Sequence, residues 1–157
     1  MRYEAPDSLD AAVALLSKEG GMARVLAGGT DLLVQLRSGM VEPDLVVDIK
    51  RIPEMRKITA EGGGFRIGAA VSGAEFGEHP GVAKLWPGVV EATNLIGSTQ
   101  VQGRATMVGN LCNASPAADS VPAMIAAGAT ATVAGPNGRR EVPVEEIGTA
   151  PGKTSLT

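Results

Sequence analysis

Aromatic side chains are scarce, with Tyr3, Phe65, Phe76 and Trp86 the whole set. So few rings exclude a platform on which successive nucleic-acid bases stack. Cys112 is the only cysteine, which excludes an internal disulfide and a cysteine cluster for zinc or iron–sulfur ligation. His79 is the only histidine, so this chain alone cannot build a histidine-rich metal site. Positive charge is also in deficit: 14 Lys and Arg face 17 Asp and Glu, for a net charge of −3. With no basic run to offset that balance, a nucleic-acid partner is not expected. No apolar run reaches membrane-spanning length, and the opening MRYEAPDSLD lacks the apolar stretch of a signal peptide. A soluble cytoplasmic protein with no membrane span is the expectation.

Glycine and proline are plentiful, 21 and 10 of 157 residues, which predicts tight turns and short elements. Hydrophobic residues at 44% and charged residues at 20% mark a globular chain, long enough for one domain or two small lobes sharing a ligand.

The first fifty residues read as strand, helix, strand, helix, strand. Asp7 or Ser8 can cap a helix through about Lys18, with Leu9, Ala12, Val13 and Leu16 on one face and Gly20–Gly21 as its stop. Arg24–Ala27 is a short β-like run into Gly28–Gly29. Thr30 or Asp31 then caps a second helix ending at Gly39, and Leu45–Ile49 is a buried-strand candidate. That alternation predicts a small parallel sheet.

Texture changes near Pro53. Glu61–Gly64 (EGGG) signals a hairpin, and Ser72 can cap a short helix. Gly77–Gly81 reads as loop, with His79 solvated. Trp86 and Pro87 open another helix, with Val89, Ala92 and Ile96 on one face and Trp86 anchored in the core. Asp119 or Ser120 caps a helix that Gly128 closes. Pro136–Gly138 (PNG) turns a second hairpin, Glu145 and Glu146 form a solvated helix start, and GTAPGKTSLT reads as an interrupted linker.

Two loops carry chemistry. In VLAGGTDLL (Val25–Leu33), a strand feeds two glycines and a helix N-terminus. That arrangement exposes backbone N–H groups suited to an anionic phosphate, with the Thr30 hydroxyl beside them. The same pattern is compatible with a tight turn whose glycines serve only positive φ. In RATMVGNLCNASPAADS (Arg104–Ser120), Gly109 permits close backbone approach. Thr106, Asn110, Asn113 and Ser115 surround it with small hydrogen-bonding groups. Asp119 would repel a phosphate, so a sugar hydroxyl suits it, although it also suits a helix N-cap.

AGGTDLL followed downstream by RATMVGNLCNASPAAD resembles the FAD-binding flavoprotein, or medium, subunits of the molybdenum hydroxylases, the family of the xanthine dehydrogenases and carbon monoxide dehydrogenases. The likeness covers nearly the whole chain, including the SLDAAVALL helix, the PDLVVDI strand, the VPVEEI segment and PGKT. It implies an α+β fold of the molybdopterin dehydrogenase and p-cresol methylhydroxylase-like type. A small parallel βαβ lobe, residues 1–53, would face a second lobe with a mixed or antiparallel sheet, residues 54–157. FAD would lie non-covalently in the cleft between them. The family's smaller C-terminal domain is missing from the matched region.

The resemblance assigns Leu26, Ala27, Gly28, Gly29, Thr30, Asp31, Leu32 and Leu33 to one side of the FAD pyrophosphate. Thr106, Val108, Gly109 and Asn110 fall on the other side, Asp119 on a cofactor hydroxyl, and Ile96 against the flavin ring. Val108 replaces the first glycine of the family's T-(I/V)-G-G-N pattern, which makes Gly109 the preferred N–H donor.

Partner chains would carry molybdopterin on a large subunit and [2Fe–2S] clusters on a small one, this chain passing electrons to an external acceptor. A self-contained flavin oxidase of related fold and a cofactor-free assembly scaffold are the alternatives. Cys112 reads as a small buried residue, and Lys153 either reaches a phosphate or is exposed without a partner. Nothing in the chain forms a Ser/His/Asp or Cys/His set for hydrolysis.

Overall fold

A computed structural model describes residues 1–156. Three strands, β1 (Arg2–Glu4), β2 (Ala23–Leu26) and β3 (Leu45–Asp48), form a parallel sheet in the order β1–β3–β2. All four residues of the central strand LVVD are buried, as a strand with both ladders paired and both faces covered requires. Helix α1 (Leu9–Glu19) makes the first crossover. The Ser8 hydroxyl accepts the Ala11 N–H at 3.3 Å, and Ala12 is buried against the sheet. Helix α2 (Leu32–Arg37) makes the second crossover and buries none of its residues. Asp31 heads it without a capping bond to the backbone, its carboxylate instead accepting from the Gln35 amide.

The second part of the chain is a helical layer framed by antiparallel ribbons. Strands β4 (Ile58–Glu61) and β5 (Gly64–Ile67) pair across the glycine turn. Helix α3 (Gly73–Glu78) starts with a complete capping box: the Ser72 hydroxyl accepts the Glu75 N–H, and the Glu75 carboxylate accepts the Ser72 N–H. Helices α4 (Pro80–Leu85), α5 (Pro87–Thr93), α6 (Thr99–Gln102), α7 (Met107–Cys112) and α8 (Ser120–Ala126) follow. Strands β6 (Thr130–Gly135) and β7 (Gly138–Pro143) pair across PNG, and a closing ribbon joins β8 (Gly148–Ala150) to β9 (Lys153–Thr154).

Several local expectations are overturned. Gly77–Gly81 is not all loop, because Pro80 opens α4 and His79 caps it, Nδ1 accepting the Val82 N–H at 3.2 Å. The His79 ring also packs edge-on against Phe65, with centroids 5.2 Å apart. Trp86 is not core: it joins α4 to α5, is 37% exposed and lines the cleft described below. Helix α5 ends at Thr93, so Ile96 lies beyond it. The supposed terminal linker is the β8–β9 ribbon, held by Ser155 N–H on the Ile147 carbonyl at 2.8 Å.

Two apolar clusters divide the interior. One gathers Leu45, Val47, Ile49 and Ile52 with Ala12, and draws in Met55, Ala69 and Ala70. The other gathers Val71, Phe76, Val82, Met107, Leu111 and Ile147. Helix α1 also touches β6, and residues of both line the cleft described below.

Asp48, at the end of β3, is a buried carboxylate with three donors. The Tyr3 hydroxyl donates to Oδ2 at 2.6 Å, while Lys50 Nζ and the Lys50 N–H each lie 2.9 Å from Oδ1. Burial alone pushes its pKa up, but the bonds from Lys50 and Tyr3 outweigh that and hold it below the ordinary value. The bond to Asp48 correspondingly raises the Tyr3 pKa. A lowered carboxylate pKa stabilises the fold above the unfolded value of about 3.9, and that contribution fades as pH falls through the folded value. Asp48→Asn is therefore expected to cost about 1–3 kcal/mol at neutral pH. It should also flatten the loss of stability below about pH 4, where wild type titrates. Urea unfolding from pH 3 to 7 measures both.

Candidate functional site

Sequence order separates the two loops, and backbone contact unites them. A Cβ added to Gly28 would stand 2.1 Å from the Arg104 carbonyl oxygen and 2.9 Å from its carbon, so only glycine permits this approach. The second loop is anchored from the other side by the Gly73 N–H on the Ala105 carbonyl at 2.8 Å and an antiparallel bridge between Ser72 and Thr106. Gly29 follows at φ +81°, where a Cβ would meet Leu26 and Leu33 side-chain carbons at 3.0 and 3.1 Å.

Lys50, which sequence reasoning missed, fixes the first loop. Its Nζ donates to the Ala27 carbonyl at 3.0 Å while paired to Asp48. Because a trans peptide points its C=O and N–H in opposite directions, this bond turns the Gly28 N–H away from Lys50. Among the described residues, the N–H groups of Gly28, Gly29, Thr30 and Asp31 donate to no protein acceptor. Four successive N–H groups without a protein acceptor, two of them on half-buried glycines, are left available to an anion.

The second loop is ordered as a helix start. Thr106 caps α7, its Oγ1 accepting the Gly109 N–H at 2.9 Å, and the Asn110 N–H goes to the Thr106 carbonyl. This reverses the preference for Gly109 as the donor, because its N–H is already spent. The N–H groups of Met107 and Val108 are the ones without a protein acceptor among the described residues. Val108 sits in the helix at negative φ, so its side chain carries no backbone strain. The buried Ser120 donates from Oγ to Asn110 Oδ1 at 2.8 Å, a second contact not foreseen from the sequence.

Both loops open on one cleft of about 1410 Å³. It is lined by Ala27 through Leu32, by Ile96, and by Thr106, Val108, Gly109 and Asn110. Three of the expected site residues stand apart. Leu26 is buried beneath Gly29, Leu33 packs beside it with its outer face exposed, and Asp119 is exposed at the head of α8 without a capping bond. Cys112 is not buried but exposed along the cleft wall. The protein around it nonetheless desolvates the thiolate and raises its pKa, the reverse of an activated nucleophile. Lys153 is exposed on β9, outside the cleft lining, although its neighbours Gly152 and Thr154 reach it.

The donor set suits an FAD. Its pyrophosphate needs several N–H donors, and the one carboxylate on this loop, Asp31, is exposed and accepts from the Gln35 amide. The cleft has room for a dinucleotide. Among the described residues no group of three or more His, Cys, Asp and Glu could hold a metal ion, and no helix is long and apolar enough to cross a membrane.

The chain is similar to several known proteins. The chain is 39% identical over 143 residues to the carbon monoxide dehydrogenase medium chain of Hydrogenophaga pseudoflava, covering 91% of this chain and 50% of that protein. It is 36% identical over 155 residues to a putative xanthine dehydrogenase FAD-binding subunit of Escherichia coli (strain K12), covering 98% and 53%. The chain thus spans about half the length of the curated relatives it matches. Among solved structures, carbon monoxide dehydrogenase from Hydrogenophaga pseudoflava superposes with a TM-score of 0.95 at 37% identity, over 100% of this chain and 55% of that one. Quinoline 2-oxidoreductase from Pseudomonas putida 86 gives 0.94 at 29%, with the same coverage. The α+β fold is the one these neighbours share. The model for the FAD-binding domain in molybdopterin dehydrogenase matches residues 1–157, and the chain belongs to that family.

Proposed function

We propose that the chain is the FAD-binding part of an electron-transfer subunit in a molybdenum-containing hydroxylase or dehydrogenase. The observation that carries this reading is the row of N–H donors without a protein acceptor from Gly28 to Asp31, on a loop that lines the same cleft as the start of α7. Bound FAD would supply the electron uptake and release. The chain's own residues would bind and orient it, with Gly28–Asp31, Met107 and Val108 donating to the pyrophosphate and Ile96 lying along the ring. The lobes 1–53 and 54–157 would be the two walls. Relatives named as medium chains and FAD-binding subunits support partners of the same kind: a molybdopterin-binding large subunit, an iron–sulfur small subunit with [2Fe–2S] clusters, and an external acceptor. A cytoplasmic location fits that assembly.

Neutral N–H donors on phosphate oxygens contribute about 1–3 kcal/mol each as charge-assisted bonds, so a handful of them suffices for firm retention. The full chain mixed with FAD is expected to hold it through gel filtration and to show bound-flavin absorption bands. Protein that emerges colourless at saturating FAD would overturn the reading. Gly28→Ala must either part the two loops or displace the Arg104 peptide, and is expected to lower FAD affinity at least 100-fold, on the order of 3 kcal/mol. Fluorescence titration measures it, and an unchanged affinity would show that the Gly28 contact is not part of the FAD site.

A further inference from the structure

We infer that Ser120 is a positioning residue that sets which end of the Asn110 side-chain amide faces the cofactor. Ser120 opens α8 and is wholly buried, and its Oγ bonds to Asn110 Oδ1 at 2.8 Å. Asn110, on α7, is half-buried and lines the cleft. Among the described residues the Ser120 hydroxyl has no other partner, which decides the direction of the bond. Were the amide turned over, Asn110 Nδ2 would donate to Oγ, and the buried hydroxyl proton would have no acceptor. With Ser120 donating, Oδ1 is occupied. Nδ2 then keeps two N–H donors with no protein acceptor among the described residues, on the same helix as the free N–H groups of Met107 and Val108.

The consequence is one of sign. An inverted Asn110 would present a carbonyl oxygen to the cleft and repel a phosphate oxygen. The fixed Asn110 adds donors to the wall where α7 begins. This role presupposes that the cleft binds FAD, and the group recognised is an acceptor of the cofactor, its pyrophosphate oxygens being the nearest in chemistry to the other donors. Ser120 itself stays out of contact with the ligand.

A double-mutant cycle on the full chain separates positioning from mere packing, because a structural effect of Ser120 would persist when Asn110 is gone. Asn110→Ala is expected to weaken FAD binding about 10-fold and Ser120→Ala about 3–10-fold, while the double variant is no worse than Asn110→Ala alone. Ser120→Cys, close in size with a weaker donor, should fall between wild type and Ser120→Ala, and it takes that variant's place in the cycle if the alanine form does not fold. Losses that multiply in the double variant, or an unchanged affinity in Ser120→Ala, would overturn the role of Ser120 alone. A wild-type chain that takes up no FAD would overturn the FAD assignment and this role together.

Discussion

The contact of Gly28 with the Arg104 carbonyl is the constraint on which the site depends. The two loops meet there with no side chain between them, so the turn after β2 and the start of α7 become walls of a single cleft. A methyl group at 28 would need more than an ångström of backbone displacement to reach ordinary van der Waals distance. Each loop is also held from behind, the first through Lys50 on Ala27 and the second through Gly73 on Ala105. The contact therefore joins two braced loops, which is why donors on both can be aimed before any ligand arrives.

Those donors are peptide dipoles, and the electrostatics of the chain explain why they suffice. The net charge is −3, and Asp31 and Asp119 stand at the two loops, so the overall field gives an anion no help. Neutral N–H groups act only at hydrogen-bond range and carry direction, whereas a lysine would attract any anion. Lys50 illustrates the division. Its charge is spent on Asp48, and its remaining role is to orient the peptide between Ala27 and Gly28. Neither α2 nor α7, at six residues each, is long enough for its dipole to matter as much as the individual N–H groups.

Legibility in the sequence followed the range of the determining interaction. The LVVDI run and the hairpins at EGGG and PNG were readable because burial on both faces and turn chemistry are written in adjacent residues. Helix α4 was not, since six residues give too little periodicity and His79 is an uncommon N-cap beside Ser, Thr, Asp and Asn. The spent N–H of Gly109 was legible in principle, because Thr106 three residues earlier has the spacing of a capping residue. Lys50 on Ala27 and Ser120 on Asn110 were beyond reach. Each bond closes over 23 and 10 residues, and only the fold brings its ends together.

The scarcity of aromatic rings takes on a different meaning once the cleft is seen. Phe65 and Trp86 line it, Phe76 is buried in the core cluster behind it, and the fourth ring, Tyr3, holds the Asp48 carboxylate that pairs with Lys50. The chain's few rings are therefore divided among the cleft wall, the core and the bracing of the donor loop. Peptide donors supply one region of the cleft, while Ile96, Phe65 and Trp86 supply flat or apolar surface elsewhere along it. An anionic centre joined to a large ring system is the kind of ligand that can use both. That pairing narrows the class far more than either loop does alone, because phosphate cradles and apolar walls are each common, while a single cleft that joins them is not.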